Sequence, residues 1–481
     1  MRILIFHGYL LRGTGSNIYN VNLVRTLARL GHEVHLLCQD RAAGRLGWVS
    51  DKAGPGKVKV YNPDIGRVLP VYVADEYEGF DAKPYPELTE AELEHYIAAN
   101  VEAVRAVPAP DVALANHLVM GPVILARALG GSAPYAVKIH GSALEYTVRP
   151  NPERFLPYAL EGIRGATGVL VGSEHTANSL FEVLAEEPTL PERTRLGPPG
   201  VDVHEFRPRE PDLEQLAARP AAAWGGEHGS AEVLRLIDPS RDRIVSYVGK
   251  LIVSKGVDLL LAAWPLVIAR VPDARLVVVG FGTYRDALES FVEALRSADV
   301  PALREIAAQG RALEGGPAGE LRYLNSFLDT IDDDWLRAAP AAAERIHFTG
   351  RLEHEDLPLL VPACEAQVMP STFPESFGMV AAEAAACGAL PLSANHSGMA
   401  EVTATLRPAL PEHLRPLMSF DVGPGAVREI GSKLVEWLEL DPRERDEARA
   451  ALAAEAARRY SWESVAEGVI DAASGHPTAP R

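Results

Sequence analysis

Short apolar runs of three to five residues alternate with longer stretches of helical period over most of the chain, and this alternation leaves few folds open. Ile3 to Phe6 reads as a strand. Ile18, Val21, Val24 and Leu27 then recur at helical spacing, Gly31 stops that helix, and Val34 to Leu37 resumes as strand. The same alternation returns at Val112 to Ala115, Tyr135 to Ile139 and Val169 to Val171. Runs that are apolar on both sides belong to parallel strands with helices over both faces. Leu-Gly-Pro-Pro-Gly at 196–200 interrupts the pattern, and an Ala-, Pro- and Glu-rich stretch to about residue 240 follows without a clear strand. A domain boundary belongs there. A second series begins with Ile244 to Val248 and a helix from Val257 to Arg270. It continues with strands at Arg275 to Val279, Arg345 to Thr349, Ala366 to Met369 and Ala389 to Leu392. The expected fold class is therefore α/β, as two doubly wound, Rossmann-like domains over 1–203 and 204–458. The Ala-rich stretch 441–459 reads as helix.

The 481 residues suffice for two or three domains at roughly 150 residues each. A net charge of -18 repels phosphate backbones over most of the surface, so nucleic acid is not an expected partner. Most of the acidic excess lies beyond residue 203, which leaves room for a local anionic ligand site in the first domain. Cys38, Cys364 and Cys387 are far apart and lack metal-ligand spacing, so neither a disulfide framework nor a metal site is expected. The apolar start of the chain is too short for a signal peptide, and Leu259 to Ala269 is too short to span a bilayer. A cytoplasmic location is the expectation, with peripheral membrane contact possible but not indicated.

Several residues fall where a parallel sheet opens its ligand crevice. Gly13-Thr14-Gly15 lies between a strand end and a helix start, where backbone N–H groups can hold a phosphate. Glycine is also the default residue of any tight turn, and the spacing is not that of a dinucleotide fingerprint. Lys250 and Lys255 bracket the turn after the first strand of the second domain and could neutralise a diphosphate, or could be solvated surface lysines. In Pro374-Glu375-Ser376-Phe377-Gly378-Met379-Val380-Ala381-Ala382-Glu383, Ser376 is an expected N-cap for a helix through Cys387. Glu375 then stands just outside the helix, and Glu383 lies about 12 Å further along if the segment is fully helical. Glu375 could merely complement the helix dipole. Glu383 sits among alanines that read as buried, where an ionised carboxylate needs a partner. His7, His117 and His140 each follow a strand of the first domain. A satisfied structural histidine is the default for His7 and His117, whereas Gly141 after His140 lets a ligand approach the backbone closely.

Taken together, these segments resemble retaining glycosyltransferases of the GT-B fold, and most of all glycosyltransferase family 4. The resemblance is carried by the first glycine loop, Gly31-His32-Glu33-Val34, His140-Gly141 and Val171-Gly172-Ser173-Glu174. It continues through Gly200-Val201-Asp202, Gly249-Lys250 to Lys255-Gly256, Phe348-Thr349-Gly350 and the E-x7-E pair Glu375 and Glu383. Tyr460-Ser461-Trp462-Glu463 resembles the start of the family's last helix, which implies that residues 459–481 return to the first domain. The resemblance implies two domains facing each other across a cleft and a hexose transferred from a nucleotide diphosphate sugar to a hydroxyl acceptor, with retention of configuration. The donor would be a UDP-, GDP- or ADP-sugar, and the acceptor a sugar, a small molecule or a lipid-linked hydroxyl bound in the first domain. By the same resemblance Glu383 takes the ribose hydroxyls, and Lys250 and Lys255 the diphosphate. Ser376, Phe377, Gly378, Met379 and Val380 supply backbone N–H groups, Glu375 contacts the transferred sugar, Gly15 approaches the phosphate, and His140 lies beside the reacting sugar. No metal and no further cofactor is implied, since two lysines and a helix dipole can take the leaving-group charge.

The chain departs from the family pattern in three places. Lys250 stands where the family usually has Arg, a point charge in place of a planar fork. The first loop reads Thr14-Gly15 in place of Gly-Gly. The segment 283–345 is much longer than the usual connection, and fits either a helical insertion with a partner role or a solvated embellishment. The acidic stretch from Asp75 to Glu94, flanked and interleaved by Tyr72, Tyr77, Phe80 and Tyr85, could wall an acceptor site or be a surface excursion. Two other functions remain open to the same motifs: a nucleotide-sugar epimerase and a non-catalytic nucleotide-sugar sensor.

Overall fold

The computed structural model describes residues 1–11, 15–72, 79–218, 230–375 and 377–475. The chain divides into two compact units, Met1–Gly200 with Tyr460–Arg481, and Val201–Arg459. In the first unit β1 (Arg2–Phe6), β2 (Glu33–Leu37) and β3 (Val58–Tyr61) are followed by a separate pair, β4 (Val68–Val71) and β5 (Asp81–Pro84). The main sheet resumes with β6 (Val112–Asn116), β7 (Tyr135–Lys138), β8 (Gly168–Val171) and β9 (Thr194–Leu196). Its order is β3-β2-β1-β6-β7-β8-β9, and every pairing is parallel, with Ile3 opposite Val34 on one side and Val112 on the other.

Alternation along β1 sends Ile3 and Ile5 to one face of the sheet and Leu4 and Phe6 to the other, each face with its own core. The Ile3 face is covered by the helix Ser16–Arg29, through Leu23, Val24 and Leu27, and by the helix Trp462–Ser474, through Trp462, Ala466, Val469 and Ala472. Close approach of that last helix depends on glycine at two places. A Cβ on Gly168 would lie 2.6 Å from the Ala472 carbonyl, and one on Gly200 would lie 2.6 Å from the Trp462 ring.

The second unit holds β10 (Arg243–Val248), β11 (Ala274–Val279), β12 (Ile346–Gly350), β13 (Cys364–Met369), β14 (Leu390–Ala394) and β15 (Ser419–Phe420), in the order β12-β11-β10-β13-β14-β15 and again parallel throughout. In both sheets the strand order reverses beside the first strand, between β1 and β6 and between β10 and β13. A ligand crevice opens at the carboxyl ends of such a pair, because the two flanking connections leave toward opposite faces.

The long segment 283–345 is helical, with helices Arg285–Arg296, Val300–Gln309, Arg322–Leu328 and Asp333–Ala343. Its acidic stretch has a local purpose: Asp332 caps the last of these helices by accepting the Trp335 N–H (2.9 Å), and Asp333 and Asp334 fill the first turn. The segment is no solvated embellishment. Leu324, Phe327 and Trp335 are buried, and the Trp335 indole donates to the Ala262 carbonyl (2.9 Å). The three cysteines are buried free thiols. Tyr85, within the acidic stretch of the first unit, is buried and stacks on Tyr72, while residues 75–78 of that stretch lie outside the described residues. Among the described residues no helix is long and apolar enough to cross a membrane.

Candidate functional site

At the β10–β13 switch point of the second unit, Lys255 ends a short 3-10 turn, Val253–Lys255, that opens into the helix Val257–Ile268. The turn is tied to the segment following β13. Thr372 N–H donates to the Ser254 carbonyl (2.9 Å), as does the Ser371 hydroxyl (3.1 Å). Gly256 makes the close approach possible, since its φ is +64° and a Cβ there would meet the Pro370 carbonyl at 2.1 Å. The Lys255 ammonium consequently reaches across and ion-pairs with Glu375, both side chains being only partly exposed. Glu375 also accepts from the Ser371 hydroxyl (2.9 Å), and its own N–H donates to Ser397 Oγ (2.9 Å). Ser397 holds a left-handed backbone, φ +52°, uncommon for any residue but glycine, Asn or Asp. The Tyr247 hydroxyl donates to the Lys250 carbonyl (2.8 Å), and Lys250 is exposed.

The helix expected to start after Ser376 starts later. It runs Met379–Ala386 with Gly378 at the N-cap, so Phe377 and Gly378 are not helical and the 12 Å spacing drawn for a fully helical segment does not apply. Gly398 N–H donates to the Glu375 carbonyl (2.9 Å), which holds this stretch as a loop beyond the carboxyl end of β13. Ser376 itself lies outside the described residues. Met379 and Val380 open the helix, and their N–H groups are among the first four, which have no partner one turn back.

Glu383 is 3% exposed on the buried face of this helix. The partner its burial demands is His354, on the loop after β12, whose Nε2 lies 2.7 Å from Oε1. His354 also packs on Phe206, with ring centroids 5.2 Å apart. Burial opposes a charge on His354, but the Glu383 carboxylate, with help from Asp202 and Glu355, outweighs it and lifts the imidazole above its usual range. Sequence reading identified Glu383 and missed His354. Only the demand of a buried carboxylate for a partner pointed toward it.

At the β1–β6 switch point of the first unit, the three histidines divide. His7 is fully satisfied: Nε2 lies 2.9 Å from Asn17 Oδ1 and 3.0 Å from the Leu10 carbonyl, and Nδ1 accepts from Asn20 (3.0 Å). Burial lowers its pKa to about 4. His140 follows β7 and places Nε2 2.7 Å from Asn116 Oδ1, which Asn20 also reaches at 3.1 Å. His117, expected to be satisfied, is not. It is 3% exposed, neither ring nitrogen has a hydrogen-bond partner among the described residues, and its φ is +67°. Its ring packs between Tyr72 (4.5 Å) and His140 (4.8 Å). Burial, reinforced by neighbouring basic groups, holds both His117 and His140 well below the usual histidine range, so both are neutral at pH 7. Lys138, buried over the Tyr19 ring and bonded to the Gly197 carbonyl, is lowered by burial to about 7. Gly15 is exposed at the N-cap of the helix Ser16–Arg29, with φ +60° and ψ −120°, a conformation that favours glycine. Gly13 and Thr14 lie outside the described residues.

The comparisons with known proteins fall on both units. The model of the glycosyl transferase 4-like domain matches residues 14–189, and models of glycosyl transferases group 1 match 242–309 and 338–407. These are glycosyltransferase family 4-like domains of GT-B type. The family 4-like domains have curated relatives of similar extent. A D-inositol 3-phosphate glycosyltransferase of Frankia alni is 25% identical over 471 residues, 95% of this chain and 93% of the relative. A GDP-mannose-dependent monoacylated alpha-(1-6)-phosphatidylinositol monomannoside mannosyltransferase of Corynebacterium glutamicum is 24% identical, covering 72% of this chain and 71% of the relative. Among solved structures, sucrose-phosphate synthase from Thermosynechococcus elongatus matches with a TM-score of 0.57 at 20% identity, over 97% and 96% of the two chains. Anabaena HepE in complex with UDP-glucose matches with 0.58 at 16% identity, over 98% and 99%. These likenesses agree with two parallel α/β lobes of the GT-B fold. Among the described residues no group of three or more His, Cys, Asp or Glu is placed to hold a metal ion.

Proposed function

We propose that this family 4-like glycosyltransferase moves a hexose from a nucleotide diphosphate sugar to a hydroxyl acceptor, with retention of anomeric configuration and without a metal. The observation that carries the reading is the second unit's switch point. There a lysine, a carboxylate and a helix N-terminus meet beyond the carboxyl ends of β10 and β13, and a second carboxylate, Glu383, is buried on the same helix. Lys255 and Lys250 are the groups for the diphosphate, supplemented by the N–H groups of Phe377 to Val380. Glu383, held by His354, takes the ribose hydroxyls, and Glu375 the transferred sugar. A diphosphate drawing Lys255 away would release the Glu375 carboxylate to accept from sugar hydroxyls, so the resting ion pair keeps both groups compensated until the donor arrives. In the first unit, His140 is the candidate beside the reacting sugar, a neutral imidazole suited to hydrogen bonding, and Gly15 the candidate for phosphate approach.

The relatives' names support nucleotide-sugar chemistry without fixing it, since one uses GDP-mannose and the structural neighbour HepE was solved with UDP-glucose. The deciding experiment incubates the protein with UDP-, GDP- and ADP-sugars and quantifies nucleotide and sugar products by mass spectrometry. Slow release of nucleotide from one donor, abolished in Glu383→Ala, is expected. An isomerised donor would replace the transferase by an epimerase. Tight binding with no product across a panel of hydroxyl acceptors would replace it by a sensor.

A further inference from the structure

The long helical segment 283–345 reaches the lysine turn through one side chain. Glu314 ends a 3-10 turn, Arg311–Glu314, between the second and third helices of the segment, and its side chain is only 10% exposed. Its Oε2 accepts the N–H of Val253 (2.7 Å), the first residue of the turn that carries Lys255. Arg311 reaches its other oxygen, with Nε 3.2 Å from Oε1. The carboxylate is thus aimed from both ends. The turn Val253–Lys255 is gripped on its other side by Ser371 and Thr372, through the Ser254 carbonyl. A buried backbone N–H left without an acceptor is costly. Without Glu314 the turn would therefore have reason to shift, hinged at Gly256.

We infer that Glu314 is a positioning residue for the donor site, and that segment 283–345 clamps the Lys255 turn in the geometry that meets a nucleoside diphosphate. The inference rests on the assignment of Lys255 to the diphosphate. It gives the segment a function that neither its helices nor its acidic composition announces. Glu314 touches no substrate. It acts by fixing the backbone from which Lys255 extends.

The test measures dissociation constants for UDP, GDP and ADP by calorimetry, carried forward with whichever binds tightest, in E314A, E314Q, K255A and the double variant K255A/E314A. Thermal melts check that each is folded. E314A is expected to weaken binding roughly tenfold, the scale of a hydrogen bond to a charged group. E314Q should recover most of that loss, because an amide oxygen still accepts the Val253 N–H. In K255A/E314A the loss should equal that of K255A alone, since a clamp on an absent lysine has nothing to position. A folded E314A with unchanged affinity, or strictly additive losses in the double variant, would overturn the role of Glu314 while leaving Lys255 in place. Unchanged binding in K255A, or no binding of any of the three nucleotides to the wild-type protein, would remove the donor-site reading and the inference with it.

Discussion

His354 shows how one buried carboxylate organises its surroundings. Glu383 lies on a helix of small residues that cannot solvate it, and the imidazole 2.7 Å away supplies the missing partner. The pair ties stability to pH, with a sign that follows from the raised histidine. Because the folded-state pKa of His354 lies above the unfolded value of 6.5, its contribution is complete below that pH and is lost as pH rises through the folded value. Melting curves of wild type and His354→Gln should therefore differ most in mildly acidic buffer and converge toward alkaline pH. A gap that is constant with pH would mean that the bond is made by a neutral imidazole throughout. His117 and His140 of the first unit behave differently, because the charged or titratable groups around them are other histidines and Lys138, so burial goes unopposed. His117, with both nitrogens unpartnered among the described residues, retains hydrogen-bonding capacity that those residues do not use.

Among the elements, the short turn Val253–Lys255 with Gly256 after it shows how much of the site hangs on backbone geometry. Gly256→Ala should destabilise by about 1–2 kcal/mol from the left-handed backbone alone, and the Pro370 carbonyl at 2.1 Å from the new Cβ forces a further displacement. The expected outcome is a lower melting temperature together with weakened nucleoside diphosphate binding. A stability loss with affinity intact would show that the turn tolerates movement without carrying Lys255 away. The elements that make the two sheets were legible in the sequence where strands are buried on both faces, as with Ile3 to Phe6 or Leu276 to Val279, since short apolar runs rich in β-branched residues and recurring between helical stretches fit central parallel strands. Several of the strands at the margins were not, although the edge strand β12 was expected at Arg345 to Thr349. Val58-Lys59-Val60-Tyr61 is a sheet edge carrying a lysine, Thr194-Arg195-Leu196 ends the other edge, and Pro70 and Pro84 break the apolar signal of β4 and β5. The late start of the helix at Met379 was hidden for a related reason. Local sequence favours a cap at Ser376, but the bonds that hold Glu375 as loop come from Ser397 and Gly398, more than twenty residues on. His354 is likewise 29 positions from the carboxylate it serves. The Glu314 contact spans 61 positions. Spacing within a motif reveals groups that share a loop or a helix face, whereas pairs that meet only through the fold leave no local trace.

At the scale of the whole molecule, the chain builds two units with separate cores and then returns to the first, which makes the last helix a test of how the units hold together individually. Trp462, Ala466, Val469, Ala472 and Ala473 belong to the same core as Ile3, Ile5, Leu23 and Val34, all within the first unit. Thr167 adds hydrogen bonds to the Ala472 and Ala473 carbonyls (3.2 and 2.7 Å), and Arg29 ion-pairs with Glu463. Ending the chain at Ser461 would uncover the part of the first sheet's Ile3 face over β6, β7 and β8, and leave the helix Ser16–Arg29 on the rest. The apolar surface so exposed, at roughly 25 cal/mol per Å², weighs heavily against the stability of about 5–15 kcal/mol typical of a domain. The truncated protein should therefore show a strongly lowered first-unit unfolding transition, while the second unit, which keeps every residue of its own sheet, melts near its original temperature. Calorimetry resolves the two cases, and nucleoside diphosphate binding distinguishes them independently. If the donor groups lie in the second unit as proposed, binding should survive the truncation while sugar transfer is lost. Loss of both, with the second transition unmoved, would show that donor binding itself requires an intact first unit.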